Sequence, residues 1–166
     1  QTYGFGSSQK NLVASGTKKL YLAETANKIT LAWNSQGGST VASTSATYSP
    51  TAKVPMPATT TKAGYTFAGW WTAASGGTQV TSSTALPTSN KTYYAHWSLN
   101  PYAITYDLAG GAVSGNPTTY DVTTTTFTLK NPTRTGYAFA GWSGTGLSGS
   151  ANKTVTIAKG STGNRA

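Results

Sequence analysis

An internal repeat constrains this 166-residue chain more than any other feature. The segment AGYTFAGW at 63–70 returns as TGYAFAGW at 135–142, so Trp142 repeats Trp70. Upstream, LAWNSQGG at 31–38 corresponds to ITYDLAGG at 104–111, at nearly the same interval along the chain. Two patterns that recur in the same order at nearly the same spacing indicate two copies of one structural unit.

The repeat divides the chain into three predicted parts. Residues 1–28 are an N-terminal strand segment and a possible donor strand, residues 29–100 are the first repeat, and residues 101–166 are the second repeat. Charged residues make up 9% of the chain, against roughly 25% in an average soluble domain. Strong helix formers are scarce, whereas β-branched Thr is abundant. We therefore predict a mainly β fold, with at most a short helical turn in each repeat.

Alternation of apolar and polar residues places the strands. One strand contains residues 31–33, further strands are expected at 41–48 and 118–129, and KTYYAHW at 91–97 closes the first repeat. We call 91–97 the closing strand. The parity of apolar residues changes within 118–129, which predicts a bulge or two short strands there.

Aromatic residues recur at matching places in the two repeats, as two small cores require. The predicted core aromatics are Trp33, Tyr65, Phe67, Trp70 and Trp97 in the first repeat, and Tyr106, Tyr137, Phe139 and Trp142 in the second. Trp71 is different, because its counterpart is Ser143. We expect Trp71 to be a surface binding residue, for example one that stacks on a sugar.

The runs LAWNSQGGS, KAGYTFAGWWTAASGGTQV and KTYYAHW, together with their second copy, resemble the Listeria–Bacteroides repeat family, the InlB-type B-repeat of bacterial surface proteins. The resemblance covers residues 29–166 as two tandem copies. It implies small β-grasp-like modules on an extracellular or cell-surface protein, and no catalytic activity.

The two ends of the chain are out of phase with the repeat. The second repeat reaches Ala166 without an aromatic closing strand, and we favour this alignment over one in which NKTVTIAKG at 152–160 closes the repeat after a deletion. Conversely, KKLYLAETANK at 18–28 aligns with KTYYAHWSLNP at 91–101. The N-terminal segment therefore resembles a closing strand without its own module.

Two accounts of this offset stay open. In one, the chain is a fragment cut from a longer array without regard to module borders. In the other, the N-terminal segment of one copy completes the second repeat of the next copy, which satisfies an open strand edge and generates an open filament. This exchange account expects a strand of another chain near Ala166, and its donor residues are Tyr3, Phe5, Leu12, Val13, Leu20, Tyr21 and Leu22.

Chemistry-bearing residues are few, and we predict no catalytic residue, no metal site and no cofactor. The chain has no Cys, which excludes thiol catalysis and Cys-based metal sites. Asp107 matches Asn34 in the predicted turn, where Asn and Asp side chains bond to the backbone. His96 lies inside a predicted strand, and the sequence contains no nucleophile elbow or phosphate-binding loop.

The charge of the chain bears on which partners it can bind. Twelve Lys and Arg residues against three Asp and Glu give a net charge of +9, but the cations are dispersed rather than arranged in a stripe that follows phosphates. We predict partners that are copies of the chain itself, with acidic polysaccharide or a cell surface as a further target. We predict no specific nucleic acid and no membrane insertion.

The sequence thus predicts a non-enzymatic, extracellular structural protein, either a fibre-like or pilus-like subunit or an adhesive one. The alternative is a carbohydrate-binding or spacer repeat module of a larger surface protein.

A Lys–Asn isopeptide cross-link also stays open, since such a bond needs a buried acid and spacing alone identifies no partner. An intact mass lower by one ammonia than the sequence mass would establish the bond, and an unchanged mass would exclude it.

Overall fold

The computed structural model describes residues 25–166 of the chain. The predicted donor residues, all at positions 3–22, lie outside this range. Between residues 25 and 166 the chain forms nine β-strands and no helix, so the prediction of a mainly β fold is confirmed. It follows that this part of the chain contains no helix long and apolar enough to cross a membrane.

The first repeat forms one five-stranded sheet. Its strands, in chain order, are β1 (Lys28–Asn34), β2 (Thr44–Thr47), β3 (Tyr65–Trp71), β4 (Gln79–Val80) and β5 (Lys91–Leu99). They lie side by side in the order β2-β1-β5-β3-β4. The first and last strands, β1 and β5, are parallel neighbours in the middle, and every other pair is antiparallel, which is a β-grasp-like arrangement.

Alternation along β1 and β5 builds the core of this sheet. Ile29, Leu31 and Trp33 on β1 are buried, while their neighbours face outward or lie at intermediate depth. On β5, Tyr93 and Ala95 are each only 2% exposed. Burial of such side chains stabilises a fold by roughly 1.5–3 kcal/mol for each large apolar residue.

A bulge in β3 brings two aromatic side chains to the same core. The register between β3 and β5 shifts between Phe67 and Gly69, and Gly69 takes a φ of +122°. One extra residue reverses the parity of a strand, so Phe67 and Trp70 contact each other edge to face at 5.4 Å between ring centroids. Trp70 in turn lies 5.0 Å from Trp33.

The second repeat has shorter regular strands: β6 (Tyr102–Ala103), β7 (Thr119–Tyr120), β8 (Phe127–Thr128) and β9 (Thr156–Ile157). β6 pairs with β7, and β8 pairs with β9, both antiparallel. The segment 118–129 thus contains two short strands, β7 and β8, as its change of parity predicts. The core of the second repeat consists of Ile104, Tyr120 and Ile157, with Val155 also buried.

The pairing of residues 152–160 identifies their counterpart in the first repeat. Asn152 bridges to Trp142 as Val80 pairs with Trp70. Ile157 pairs with Phe127 on β8, whereas the closing strand of the first repeat lies parallel to β1. Residues 152–160 therefore occupy the place of residues 80–88 and not that of a closing strand.

A short joint connects the two repeats. β5 leads through Asn100 and Pro101 directly into β6. The Asn100 N–H donates to the Gly64 carbonyl at 3.0 Å, and the Thr66 hydroxyl donates to Asn100 Oδ1 at 2.6 Å. A Cβ on Gly64 would overlap the Val122 side chain, so the second repeat packs closely against the first.

We expect Leu31→Ala to lower the free energy of unfolding of the first repeat by about 2–5 kcal/mol, because Leu31 is fully buried and the change leaves a cavity. Urea denaturation followed by Trp fluorescence measures the loss. Ser45→Ala, at an exposed position on β2, is the matched control and should change stability by less than about 0.5 kcal/mol. Equal effects of the two substitutions would contradict the assignment of this core.

Candidate functional site

The second repeat contains an open groove. It lies between segments 104–109 and 139–147 and has a volume of about 440 Å³. Apolar side chains form its floor, including Leu129, Trp142, Val155 and Ile157. The repeat aromatics did not indicate Leu129, Val155 and Ile157, although the alternation in TVTIA at 154–158 marks the last two as one face of a strand.

The groove occupies the place that β5 fills in the first repeat. There β5 lies between β1 and β3 and pairs with both. The flanks of the groove are the counterparts of these two strands, because Ile104 matches Leu31 and Trp142 matches Trp70. The groove is therefore shaped like a slot for one extended strand.

Residues 165 and 166 occupy the entrance of this slot. Arg165 forms a parallel bridge with Ile104, as Lys91 pairs with Leu31 in the first repeat. The Thr145 N–H donates to the Ala166 carbonyl at 2.9 Å on the opposite flank. Farther into the slot, no described residue makes a backbone hydrogen bond with Tyr106 or Phe139.

A second, smaller cavity of about 180 Å³ lies at the far end of the same slot. Leu108, Gly111, Arg134 and Phe139 are among its lining residues. Their counterparts in the first repeat are Ser35, Gly38, Lys62 and Phe67, which surround Trp97.

Trp97 fills the corresponding place in the first repeat. Its Nε1–H donates to the Ser35 carbonyl at 2.9 Å, and its ring lies 5.3 Å from that of Phe67. The ring also lies against Gly38, and Lys62 Nζ is 5.9 Å from its centroid. The smaller cavity is therefore the counterpart of the Trp97 site.

The same turn positions the lower end of the slot in both repeats. Asp107 Oδ1 accepts a hydrogen bond from the Ala109 N–H at 2.9 Å, and Asn34 Oδ1 accepts one from the Gln36 N–H at 3.0 Å. Ala109 and Gln36 both have positive φ, at 47° and 51°. The side chain that bonds within the turn offsets part of the cost of that conformation.

A cation fixes each of these turns from the neighbouring segment. Lys62 Nζ donates to the Gln36 carbonyl at 3.0 Å, and its counterpart Arg134 donates through Nη1 to the Ala109 carbonyl at 2.8 Å. The Arg134 guanidinium also lies 3.9 Å from the centre of the Tyr137 ring. The sequence did not single out Arg134, and its alignment with Lys62 is the signal that could have found it.

The predicted core aromatics differ in their exposure to solvent. Trp33 and Trp70 are buried. Partly buried positions are taken by Tyr65, Phe67, Trp97, Tyr106, Phe139 and Trp142. Burial raises the pKa of the Tyr106 hydroxyl, which donates to the Pro117 carbonyl at 2.7 Å.

Tyr137 departs from the predicted core. It is 66% exposed, whereas its counterpart Tyr65 is partly buried and pairs with Leu99 of β5. No described residue lies opposite Tyr137 in that way, since the slot beside it is open. Its exposure is thus a direct consequence of the groove.

The Trp71 indole does not have both faces open for stacking on a ligand. Its ring is stacked on His96 at 4.7 Å with an interplanar angle of 6°, so one indole face is covered. Its Nε1 is buried without a hydrogen-bond partner among the described residues. The His96 ring is itself held by a 3.0 Å hydrogen bond between Nε2 and the Ala73 carbonyl oxygen.

The carboxylates of the described residues serve local turns. Besides Asp107, the Asp121 carboxylate accepts hydrogen bonds from the hydroxyls and backbone N–H groups of Thr123 and Thr124. These bonds, led by the Thr123 hydroxyl, lower the pKa of Asp121. Within residues 25–166, no group of three or more His, Cys, Asp or Glu residues is placed to hold a metal ion.

Comparison with known proteins identifies the repeat. The model of the Listeria-Bacteroides repeat domain matches residues 30–96 and 102–164. Internalin H of Listeria monocytogenes is 36% identical over 102 residues, which are 60% of this chain and 18% of that protein. A protein of Evansella cellulosilytica, whose assigned name is that of a membrane protein, is 32% identical over 127 residues, 74% of this chain and 19% of its own length.

The chain thus spans about a fifth of the length of these curated relatives. No solved structure matches it significantly.

The turn role of Asp107 predicts how its substitutions behave. Asp107→Ala removes the hydrogen bond to Ala109 and should lower the free energy of unfolding of the second repeat by about 1 kcal/mol. Asp107→Asn should be nearly neutral, because Asn34 makes the same bond in the first repeat. Denaturant unfolding measures both, and equal losses for Asn and Ala would contradict the turn role.

Proposed function

Because the chain belongs to the Listeria-Bacteroides repeat family, we propose that it is a non-enzymatic structural segment of an extracellular or cell-surface protein. We further propose that its copies join head to tail, each donating an N-terminal β-strand to the second repeat of the next. The resulting assembly is a fibre-like or adhesive surface component.

The single observation that carries this proposal is the strand-shaped groove of about 440 Å³ in the second repeat. Its two flanks carry backbone groups that, in the first repeat, bond to β5 from both sides. An added strand would supply those hydrogen bonds and would cover the partly buried side chains of Leu129 and Trp142, which line the groove. Strand addition therefore gives a gain in both polar and apolar interactions.

The proposed donor is the segment 20–24, which aligns with residues 93–97 of the closing strand, because Arg165 and Ala166 hold the places of Lys91 and Thr92. In this alignment Leu20 takes the place of Tyr93 and Leu22 takes that of Ala95, the two most deeply buried side chains of β5. Tyr21 takes the outward place of Tyr94. The donor thus offers an apolar face to the groove at the period of a strand.

The direction of assembly follows from the different positions of donor and acceptor. The donor segment precedes the first repeat, whereas the groove belongs to the second repeat. A contact between two different surfaces of identical copies is heterologous, and such contacts extend into open chains unless the geometry closes a ring. We therefore propose linear polymers in which each subunit adds two repeats.

The adhesive part of the proposal is supported by charge. The net charge of +9 favours contact with acidic polysaccharide or an anionic cell surface. The stacked position of Trp71 on His96 gives less support to sugar binding centred on that residue.

Deletion of residues 1–24 should abolish assembly, because it removes the donor and leaves the groove intact. Light scattering after size exclusion, with negative-stain electron microscopy, should show that the intact chain lengthens into oligomers as concentration rises. The deleted chain should stay monomeric.

Single substitutions supply the matched control. Leu20→Ser should weaken assembly strongly, because Leu20 faces the groove, whereas Tyr21→Ser on the outward face should have a small effect. An intact chain that is monomeric at every concentration would instead support a spacer module. Equal effects of the two substitutions would exclude 20–24 as the donor in this register.

A further inference from the structure

We infer that the first repeat is a force-resisting link, in which the parallel pairing of β1 with β5 withstands tension along the chain. We call this pairing, of residues 31–34 with residues 91–94, the clamp. The biological use of the clamp rests on the proposed place of the chain in a cell-surface protein. Strand exchange between copies is not required, because the clamp is formed within one chain.

The ends of the first repeat lie where tension acts along the strands. The chain enters this sheet at Lys28, the start of β1, and leaves it at Leu99, the end of β5. Because β1 and β5 are parallel, tension draws β1 toward its start and β5 toward its end, in opposite directions. The two strands are thus pulled past each other along their length, which is a shear geometry.

Shear loads the whole clamp at once. The clamp has four successive pairs, from Leu31 with Lys91 to Asn34 with Tyr94. The hydrogen bonds of a parallel ladder are evenly spaced, so a force along the strands acts on all of them together. On their other sides β1 pairs with β2 and β5 pairs with β3, so neither strand is an edge of the sheet. The sheet therefore opens only when several bonds break together.

Side chains in the core oppose sliding of the two strands. Trp33 on β1 pairs with Tyr93 on β5, and their ring centroids lie 5.2 Å apart. Both side chains are buried, and the Trp33 Nε1–H also donates to the Thr44 hydroxyl of β2 at 3.0 Å. Sliding must move one large ring past the other in a close-packed interior, so it breaks packing contacts as well as hydrogen bonds.

Asn90 extends the clamp at its first end. Asn90 Oδ1 accepts a hydrogen bond from the Thr30 N–H at 2.8 Å, directly before the first pair. The second repeat has a matching bond, in which the Ala103 N–H donates to Asn164 Oδ1 at 3.0 Å. Ala103 is the counterpart of Thr30 in the repeat. In both repeats an Asn side chain thus binds one more backbone donor of the first strand.

Single-molecule force measurements on the full chain test the clamp, since the absence of native Cys allows thiol-linked handles at chosen residues. In the shear variant, Thr25→Cys with Ser98→Cys, the force acts along the strands. In the peeling variant, Thr25→Cys with Ser89→Cys, both handles lie at the same end of the clamp, so its pairs open one after another. All three positions are exposed, and neither pair of handles includes the second repeat.

The direction of pulling should decide the unfolding force. At equal pulling speed, the shear variant should unfold at a force at least about twofold that of the peeling variant, because its pairs share the force. Equal unfolding forces in the two variants would overturn the inference.

Substitutions of Asn90 in the shear variant test the added bond. Forced unfolding is governed by the unfolding rate, so the lifetime at constant force reports the strength of the clamp. Asn90→Ala should shorten this lifetime about 2- to 10-fold, as expected for the loss of one hydrogen bond. Asn90→Asp keeps the acceptor oxygen and should change the lifetime little. Equal lifetimes of the Ala and Asp variants would remove Asn90 from the clamp.

The outcomes separate the clamp from strand exchange. If the unfolding force depends on direction but the intact chain is monomeric at every concentration, the clamp stands and strand exchange is wrong. If the force does not depend on direction, the clamp is wrong even where the chain assembles. Should Asn90→Ala fail to fold, the shear and peeling variants still decide, because both keep Asn90.

Discussion

The backbone pairing of the central strand is the interaction on which the rest of the sheet depends. In the first repeat β5 bonds to β1 on one side and to β3 on the other, and it carries Tyr93 and Ala95 into the core. Without such a strand, two facing edges keep unpaired N–H and C=O groups and an apolar floor stays accessible. In the second repeat Arg165 and Ala166 hold the first two places of this strand, and no described residue bonds to the backbone of Tyr106 or Phe139 beside the groove. We propose that a strand of another copy completes the second repeat in the same way.

The two repeats differ in their long-range strand pairing. Where β5 is present, β1 and β3 are seven residues long each. In the second repeat the counterpart of β1 is reduced to Tyr102–Ala103 and a bridge at Ile104. The turns, in contrast, are alike, because Asn34 and Asp107 depend on local hydrogen bonds. The two repeats share these local interactions, but they differ in the pairing of strands that are distant in sequence.

The sequence predicts those parts of the fold that local patterns determine. Alternation located β1 and the closing strand, the match of Asp107 to Asn34 located the turns, and the repeat itself showed that two units share one plan. The exposure of Tyr137 could not be predicted, since it depends on whether a strand distant in sequence pairs beside it. The roles of Arg134 and of the floor residue Leu129 likewise appear only when the flanks of the groove are placed side by side.

Amide hydrogen exchange measured over a range of protein concentrations tests the central claim most directly. The account predicts that the amides of Tyr106 and Phe139 exchange rapidly in dilute solution and become protected as concentration rises, because a donated strand bonds to both flanks. Leu31 and Trp33 on β1 should be protected at every concentration, which makes them the internal reference. Protection of Tyr106 and Phe139 that does not change with concentration would contradict completion of the second repeat by another copy.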